Sequence, residues 1–179
     1  MTTPREEAMF NLKYLKSSVG HLQHKPIYEL CDVVLSNDWF MHAPGGSEHH
    51  HNYRHGLVKH VSEVMHNVFK LTAGWTSPGL IVSVIWHDYM KTLDYEFNSD
   101  ESVKKMPYRK LINHVSGSFA EFYLHARRLK LADKFIEDVG HCLLSHHGRK
   151  EWGSPVEPLT ADAFILHAAD MMSAHGIVL

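Results

Sequence analysis

A chain of 179 residues, 44% hydrophobic and 21% charged, is long enough to bury one core unaided and is read as a single domain over residues 1–179. A formal net charge of −2 excludes the global basic field that drives non-specific nucleic-acid binding, so any nucleic acid would have to be gripped locally. Cys31 and Cys142, distant and outside any Cys-x-x-Cys arrangement, exclude a disulfide framework or thiolate zinc site and suit a reducing, cytoplasmic setting, and the sequence predicts no membrane span or standard export signal.

Residues 5–19 carry Met9, Leu12, Leu15 and Val19 at helical spacing. A second amphipathic segment runs from about Lys25, with Pro26 near its first turn, through Ile27, Leu30, Val34 and Leu35. Both read as packing elements. From 37 to 54 the periodicity breaks into a Gly-rich, polar loop with Asp38, Pro44-Gly45-Gly46 and the run from Glu48 to His55, which belongs at the surface. His49, His50 and His51 are as readily solvent-exposed as functional, whereas Arg54 and His55 lead directly into the next helix.

That helix, Gly56 to Leu71, has Leu57, Val61, Val64, Val68 and Leu71 as its buried stripe, and His60 shares the face. His66 lies off the stripe and reads as exposed. After a turn at 73–79 comes an apolar helix ending in His87-Asp88, with Leu80, Val84, His87 and Asp88 at helical spacings on an inward face. Lys91 follows three residues on, beside Asp88 if the helix continues. Residues 98–107 read as a solvated charged loop.

One long helix is predicted over 109–131, with Leu111, Val115, Phe119, Phe122 and Leu129 toward the core and His114 between Leu111 and Ser118. Another covers 133–147 through Phe135, Val139, Cys142 and Leu143 to His146 and His147, with Gly148 as its stop. The loop from Arg149 to Pro158 combines two cations, Trp152, glycine and prolines, which suits a planar base with its phosphate as well as a stiff connection. Thr160 caps the last helix, where Asp170 sits at the buried spacing of Ala163, Leu166 and Ala169 and needs a partner. No strand is predicted, and the expected fold is an all-α bundle of five to seven helices.

Seventeen histidines ask for a chemical cause. The inward candidates His60, His87-Asp88, His114, His146-His147 and Asp170 come from five helices or helix ends. One buried histidine is usually a hydrogen-bonded core residue. An ordered series of neutral imidazoles and carboxylates is hard to produce by packing alone, and a divalent metal satisfies both donor types together.

The order His60, His87-Asp88, Asp170 resembles the HD superfamily of metal-dependent phosphohydrolases over about residues 50–178, and His114 with His146-His147 resembles its binuclear branch. Gly56-Leu-Val-Lys-His60, His87-Asp-Tyr-Met-Lys91, Asn113-His114-Val, the string from Ser145 to Pro155 and Ile165-Leu-His-Ala-Ala-Asp170 are similar to the HD domain of the YhaM-type 3′-to-5′ exoribonucleases. Members of that type carry an OB-fold ahead of this domain, where residues 1–50 here read as helices and a loop. Met90 stands where the common His-Asp-x-Gly-Lys pattern has glycine.

The resemblance implies a single HD-domain helical bundle with its metal-binding core over 51–178. It implies a metal-dependent phosphohydrolase acting on nucleic-acid 3′ ends or short oligonucleotides. The alternatives are a nucleotide phosphohydrolase, of the dNTP triphosphohydrolase or 5′-nucleotidase type, and an HD-type di-iron oxygenase. By carry-over, His60, His87, Asp88 and Asp170 would bind one ion, and Asp88 would bridge to a second held by His114 and His146, with His147 an additional or alternative ligand. Mn²⁺ is the favoured ion, with Fe²⁺, Co²⁺, Ni²⁺, Zn²⁺ or Mg²⁺ also accommodated. Two metals about 3.5–4 Å apart activate water and neutralise phosphoryl oxygens. Asp88 and Lys91 are the expected catalytic pair, Lys91 and Arg149 the phosphate contacts, and Arg54, His55 and Trp152 the pocket residues for a nucleotide or single-stranded nucleic acid. A homo-oligomer is left open.

Overall fold

The computed structural model describes residues 2–46, 48 and 50–179, so His49 and the expectation attached to it lie outside the described residues. Helix α1 (Pro4–Val19) begins with a reciprocal cap, in which the Thr3 hydroxyl accepts from Glu6 N at 3.2 Å and the Glu6 carboxylate accepts from Thr3 N at 2.7 Å. Ala8, Leu15 and Val19 set its buried face, with Leu12 partly buried between them, which turns Met9 to solvent against expectation. Helix α2 (Lys25–Leu35) buries Ile27, Leu30, Cys31, Val34 and Leu35.

The stretch read as a loop contains a short helix, α3 (Asp38–His42), because the Asn37 side chain accepts from Trp39 N at 2.8 Å and caps it. Helix α4 (Gly56–Leu71) packs between α1 and the C-terminal helix, and its last residue, Leu71, is half exposed where the helix outruns the core. Helix α5 (Pro78–Trp86) is buried continuously from Leu80 to Trp86, the signature of a helix surrounded on all sides. The Trp86 indole N–H is satisfied by Leu30 O at 3.2 Å.

Helix α5 ends at Trp86, and the chain passes through a turn into α6 (Lys91–Asp94), so Asp88 and Lys91 are brought together by a turn and not by a continuing helix. A hairpin follows where none was expected: β1 (Tyr95–Phe97) pairs antiparallel with β2 (Val103–Lys105). Three-residue strands are too short to display a period of two, and the register places Glu96 opposite Lys104, a favourable cross-strand pair.

The single helix expected over 109–131 is two, α7 (Pro107–Leu111) and α8 (His114–Arg128). Asn113, at φ +73°, breaks the path and caps α8 by accepting from Val115 N at 3.0 Å. Leu111 therefore leaves the core stripe and is 81% exposed. Helix α9 (Asp133–Ser145), a single 3-10 turn at Lys150–Trp152 and α10 (Ala161–Ala174), capped by Thr160, complete the chain. Seven helices of nine residues or more among the described residues, with one two-stranded sheet, make a mostly helical bundle of the all-α class. No helix among these residues is long and apolar enough to cross a membrane.

Candidate metal centre

Five segments deliver the polar residues to one buried point. His60 comes from α4, His87-Asp88 from the end of α5, His114 from the first position of α8, His146-His147 from the end of α9 and Asp170 from α10. Asp88 stands at the middle. Its Oδ2 lies 3.2 Å from His60 Nε2 and 3.4 Å from His87 Nε2, while its Oδ1 lies 3.3 Å from His114 Nε2 and 3.7 Å from His146 Nε2. Asp170 Oδ1 lies 3.1 Å from His60 Nε2. Two four-residue groups result, His60-His87-Asp88-Asp170 and Asp88-His114-His146-His147, with the donor atoms of each group within 4.8 Å of one another.

The supporting hydrogen bonds decide which nitrogen of each ring faces inward. Nδ1 of His87, His146 and His147 lies 2.8, 2.7 and 2.9 Å from the carbonyl oxygens of Val84, Leu143 and Trp152. A carbonyl only accepts, so each Nδ1 carries the proton and each Nε2 keeps its lone pair. For His87 and His146 the acceptor is the carbonyl three residues back, one of the unpaired carbonyls at a helix end, which is why these imidazoles occur where α5 and α9 stop. His114 Nδ1 donates to Asp94 Oδ2 at 2.7 Å. His60 Nδ1 donates to Ser173 Oγ at 2.9 Å, and that hydroxyl donates in turn to Glu63 Oε2 at 2.8 Å. All five rings thus direct Nε2 to the centre, the arrangement that orients metal-binding imidazoles.

Asp88 Oδ1 and His146 Nε2 are buried without a hydrogen-bond partner, and Asp88 Oδ2 has the Lys91 ammonium beside it. Buried polar atoms left in that state are costly, and a divalent cation with a preference for imidazole and carboxylate fits the donor set. Burial opposes charge on His60, yet the Asp170 and Asp88 carboxylates raise its pKa to about 9, so a proton competes with a cation for Nε2. Burial alone would raise Asp88, but the Lys91 charge beside it holds it well below the usual carboxylate range. The same opposition, with the His60 hydrogen bond prevailing over burial, lowers Asp170. Burial lowers His114 despite Asp94, and burial with the neighbouring His146 and His114 brings His147 down to about 3.

A cavity of about 680 Å³ opens above the centre, lined by His60, Lys91, His147, Trp152 and Asp170 among the expected residues. Lys91 Nζ lies 2.5 Å from Asp88 Oδ2 and donates to Gly45 O at 2.8 Å. Burial works against its charge, but Asp88 and Asp170 raise its pKa.

Two expected pocket residues, Arg54 and His55, and one expected phosphate contact, Arg149, lie outside this cavity. Arg54 stacks over the Phe97 ring at 4.7 Å and bonds Glu101 through Nη2 at 2.9 Å, so the hairpin takes it. His55 is buried at the start of α4, at φ +70°, with Nδ1 2.7 Å from Met41 O, a structural position outside the cavity. Arg149 is exposed, stacks on the Trp152 ring at 4.8 Å and does not line the cavity, so it backs the tryptophan.

Sequence reading missed Glu63, Asp94, Ser173 and Arg109. Glu63 and Ser173 each lie three residues past a candidate ligand on a helix, a spacing that signals adjacency. Asp94 and Arg109 have no such signal. His51, left undecided, bonds Glu63 Oε2 through Nε2 at 2.9 Å and lines the cavity. Its loop crosses α4 so closely that a Cβ on Gly56 would stand 2.0 Å from His51 O, which only glycine avoids.

The chain is 34% identical over 140 residues to the 3′-5′ exoribonuclease YhaM of Listeria welshimeri, covering 76% of this chain and 44% of that protein. Its identity to the YhaM exoribonuclease of Bacillus subtilis is 30% over 138 residues, covering 75% of this chain and 43% of that one. The Geobacillus sp. protein of the same name is 31% identical over 138 residues. The chain spans about half the length of these relatives. No protein-family profile and no solved structure matches it. Over three quarters of its length the chain is similar to the YhaM 3′-5′ exoribonucleases, and its buried His/Asp cluster is typical of HD-domain sites.

Proposed function

We propose that this protein is a metal-dependent phosphodiesterase that hydrolyses nucleic-acid 3′ ends or short oligonucleotides, built as one HD domain with its metal-binding core over 51–178. His60, His87, Asp88 and Asp170 would hold one divalent ion, and Asp88, His114, His146 and His147 would hold a second. The observation that carries this reading is Asp88, whose two buried oxygens face two different sets of inward-directed Nε2 atoms. The relatives named as exoribonucleases support the substrate class.

Two such ions would supply the Lewis acidity that in-line hydrolysis of a phosphoester requires. Mn²⁺ is the ion we favour, in an N/O donor set that discriminates weakly among first-row metals. Lys91 keeps its ammonium beside Asp88 and so offsets the negative charge that a phosphate meets on entering. Trp152, about half exposed and backed by Arg149, offers a ring face to a base. Cys31 and Cys142, both buried and unpaired, fit a reducing cytoplasmic setting.

The test is to measure bound metal and then incubate the protein, with and without Mn²⁺, with 5′-labelled single-stranded RNA, single-stranded DNA and nucleoside mono- and triphosphates. Metal-dependent ladders shortened from the 3′ end are expected. Phosphate or triphosphate released from mononucleotides alone would replace the reading with a nucleotide phosphohydrolase.

A further inference from the structure

With Arg54 and Arg149 outside the cavity and Lys91 engaged by Asp88 and Gly45, the remaining arginine on its wall is Arg109, from α7. Its placement is built. Nε donates to the Tyr95 hydroxyl at 3.1 Å, and the guanidinium carbon lies 5.8 Å from the centroid of the Tyr95 ring. Tyr95 is buried and follows Asp94, whose carboxylate holds His114 at 2.7 Å. The Asp94 carbonyl accepts from Met106 N at 2.9 Å, tying the start of α7 to the same residue. Asp94 therefore positions an imidazole of the metal centre with its side chain and the platform of Arg109 with its backbone. Glu48 lies on the same rim, paired with Lys105.

An arginine anchored through Nε presents its terminal nitrogens as a fork suited to phosphate. The cavity, at about 680 Å³, is within the size range of pockets that enclose a whole ligand, larger than one phosphoryl group needs. Lys91 and Arg109 are thus two cations for two positions, one on Asp88 and one at the rim. We propose that Arg109 binds the phosphate adjacent to the one at the metal centre, so that the ligand selected is a single-stranded oligonucleotide with at least two phosphates and not a mononucleotide. This rests on the phosphodiesterase reading and adds the residue that sets its preference for an oligonucleotide over a mononucleotide.

Binding measured without turnover tests it. The Mn²⁺-loaded full chain is titrated into a 5′-fluorescein single-stranded RNA tetranucleotide with cleavage-resistant phosphorothioate linkages, by anisotropy at several salt concentrations, and an unlabelled nucleoside monophosphate competes. Arg109→Ala is expected to weaken the tetranucleotide about tenfold and to reduce the salt slope by about 0.7, the share of one phosphate on a single strand, while monophosphate affinity stays within about twofold. Arg109→Lys should keep the slope and lose part of the affinity, and it decides the matter if the alanine variant folds poorly. Lys134→Ala, on the exposed face of α9, is the control and should change neither. An unchanged slope in Arg109→Ala, equal weakening of both ligands, or a wild type that binds the tetranucleotide no better than the monophosphate overturns the proposal. A wild type that binds the tetranucleotide as expected but cleaves no RNA would overturn the phosphodiesterase reading and leave this one standing.

Discussion

The two halves of the centre are built differently. His60 and Asp170 lie within the long helices α4 and α10, and His87 caps α5, the helix that the core surrounds; all three are buried with that core. His114 and His147 depend on short elements, Asp94 beside the hairpin and the turn at Trp152, while His146 closes α9 and bonds back to Leu143. A ligand on a packed helix is held by the whole core, whereas one on a helix end is held by a few hydrogen bonds. The first half should therefore bind its ion in a rigid setting, and the second should be easier to weaken without unfolding the protein.

The largest effect expected is that of Asp88→Asn, which removes the carboxylate common to both halves. Metal analysis should find both ions lost, with hydrolysis down by about a thousandfold or more; retention of one tightly bound ion would break the shared-residue picture. Next, Asp170→Ala and His147→Ala should separate the halves. Each is expected to lower occupancy of its own group, by calorimetric titration with Mn²⁺, with a melting-temperature loss in the metal-free protein that is greater for Asp170→Ala.

Acid should also divide the halves. Metal binding to the first group displaces the proton of His60, whose pKa stands at about 9. Affinity there should rise with pH and level off above about 9, changing about tenfold per unit below it. From pH 8.5 to 6.5 that is a loss of about a hundredfold. The second group contains His114 and His147, both lowered, and should show a shallower dependence over that range.

The supporting carboxylates come next. Glu63→Gln should weaken the first ion and Asp94→Asn the second, each by about 10- to 100-fold, the cost usual for losing a residue that orients a ligand. The smallest effect is predicted for Arg54→Ala. Its guanidinium bonds Glu101 on an exposed surface, so hydrolysis should stay within about twofold and stability within about 1 kcal/mol.

Much of the fold was legible because helix periodicity is local. Leu57, Val61, Val64 and Val68 announce α4 and put His60 on its inner face, and Leu166, Ala169 and Asp170 do the same for α10. The failures cluster between 88 and 113. The chain there turns, forms a hairpin and breaks at Asn113, in elements too short to carry a period. Leu111 was misread because continuous periodicity cannot reveal a break set by one residue at positive φ.

By itself, then, the order of residues determined an α-helical bundle and the list of imidazoles and carboxylates that turn inward, because spacing along a helix dictates which side chains share a face. Only the tertiary structure decided that Asp88 gives one oxygen to each set, that Glu63 reaches His60 through Ser173, and that Arg109, not Arg54 or Arg149, lines the cavity. Each of those depends on contacts between residues distant in sequence. A long polar side chain goes to whichever partner the packing brings within reach, as Arg54 does to Glu101.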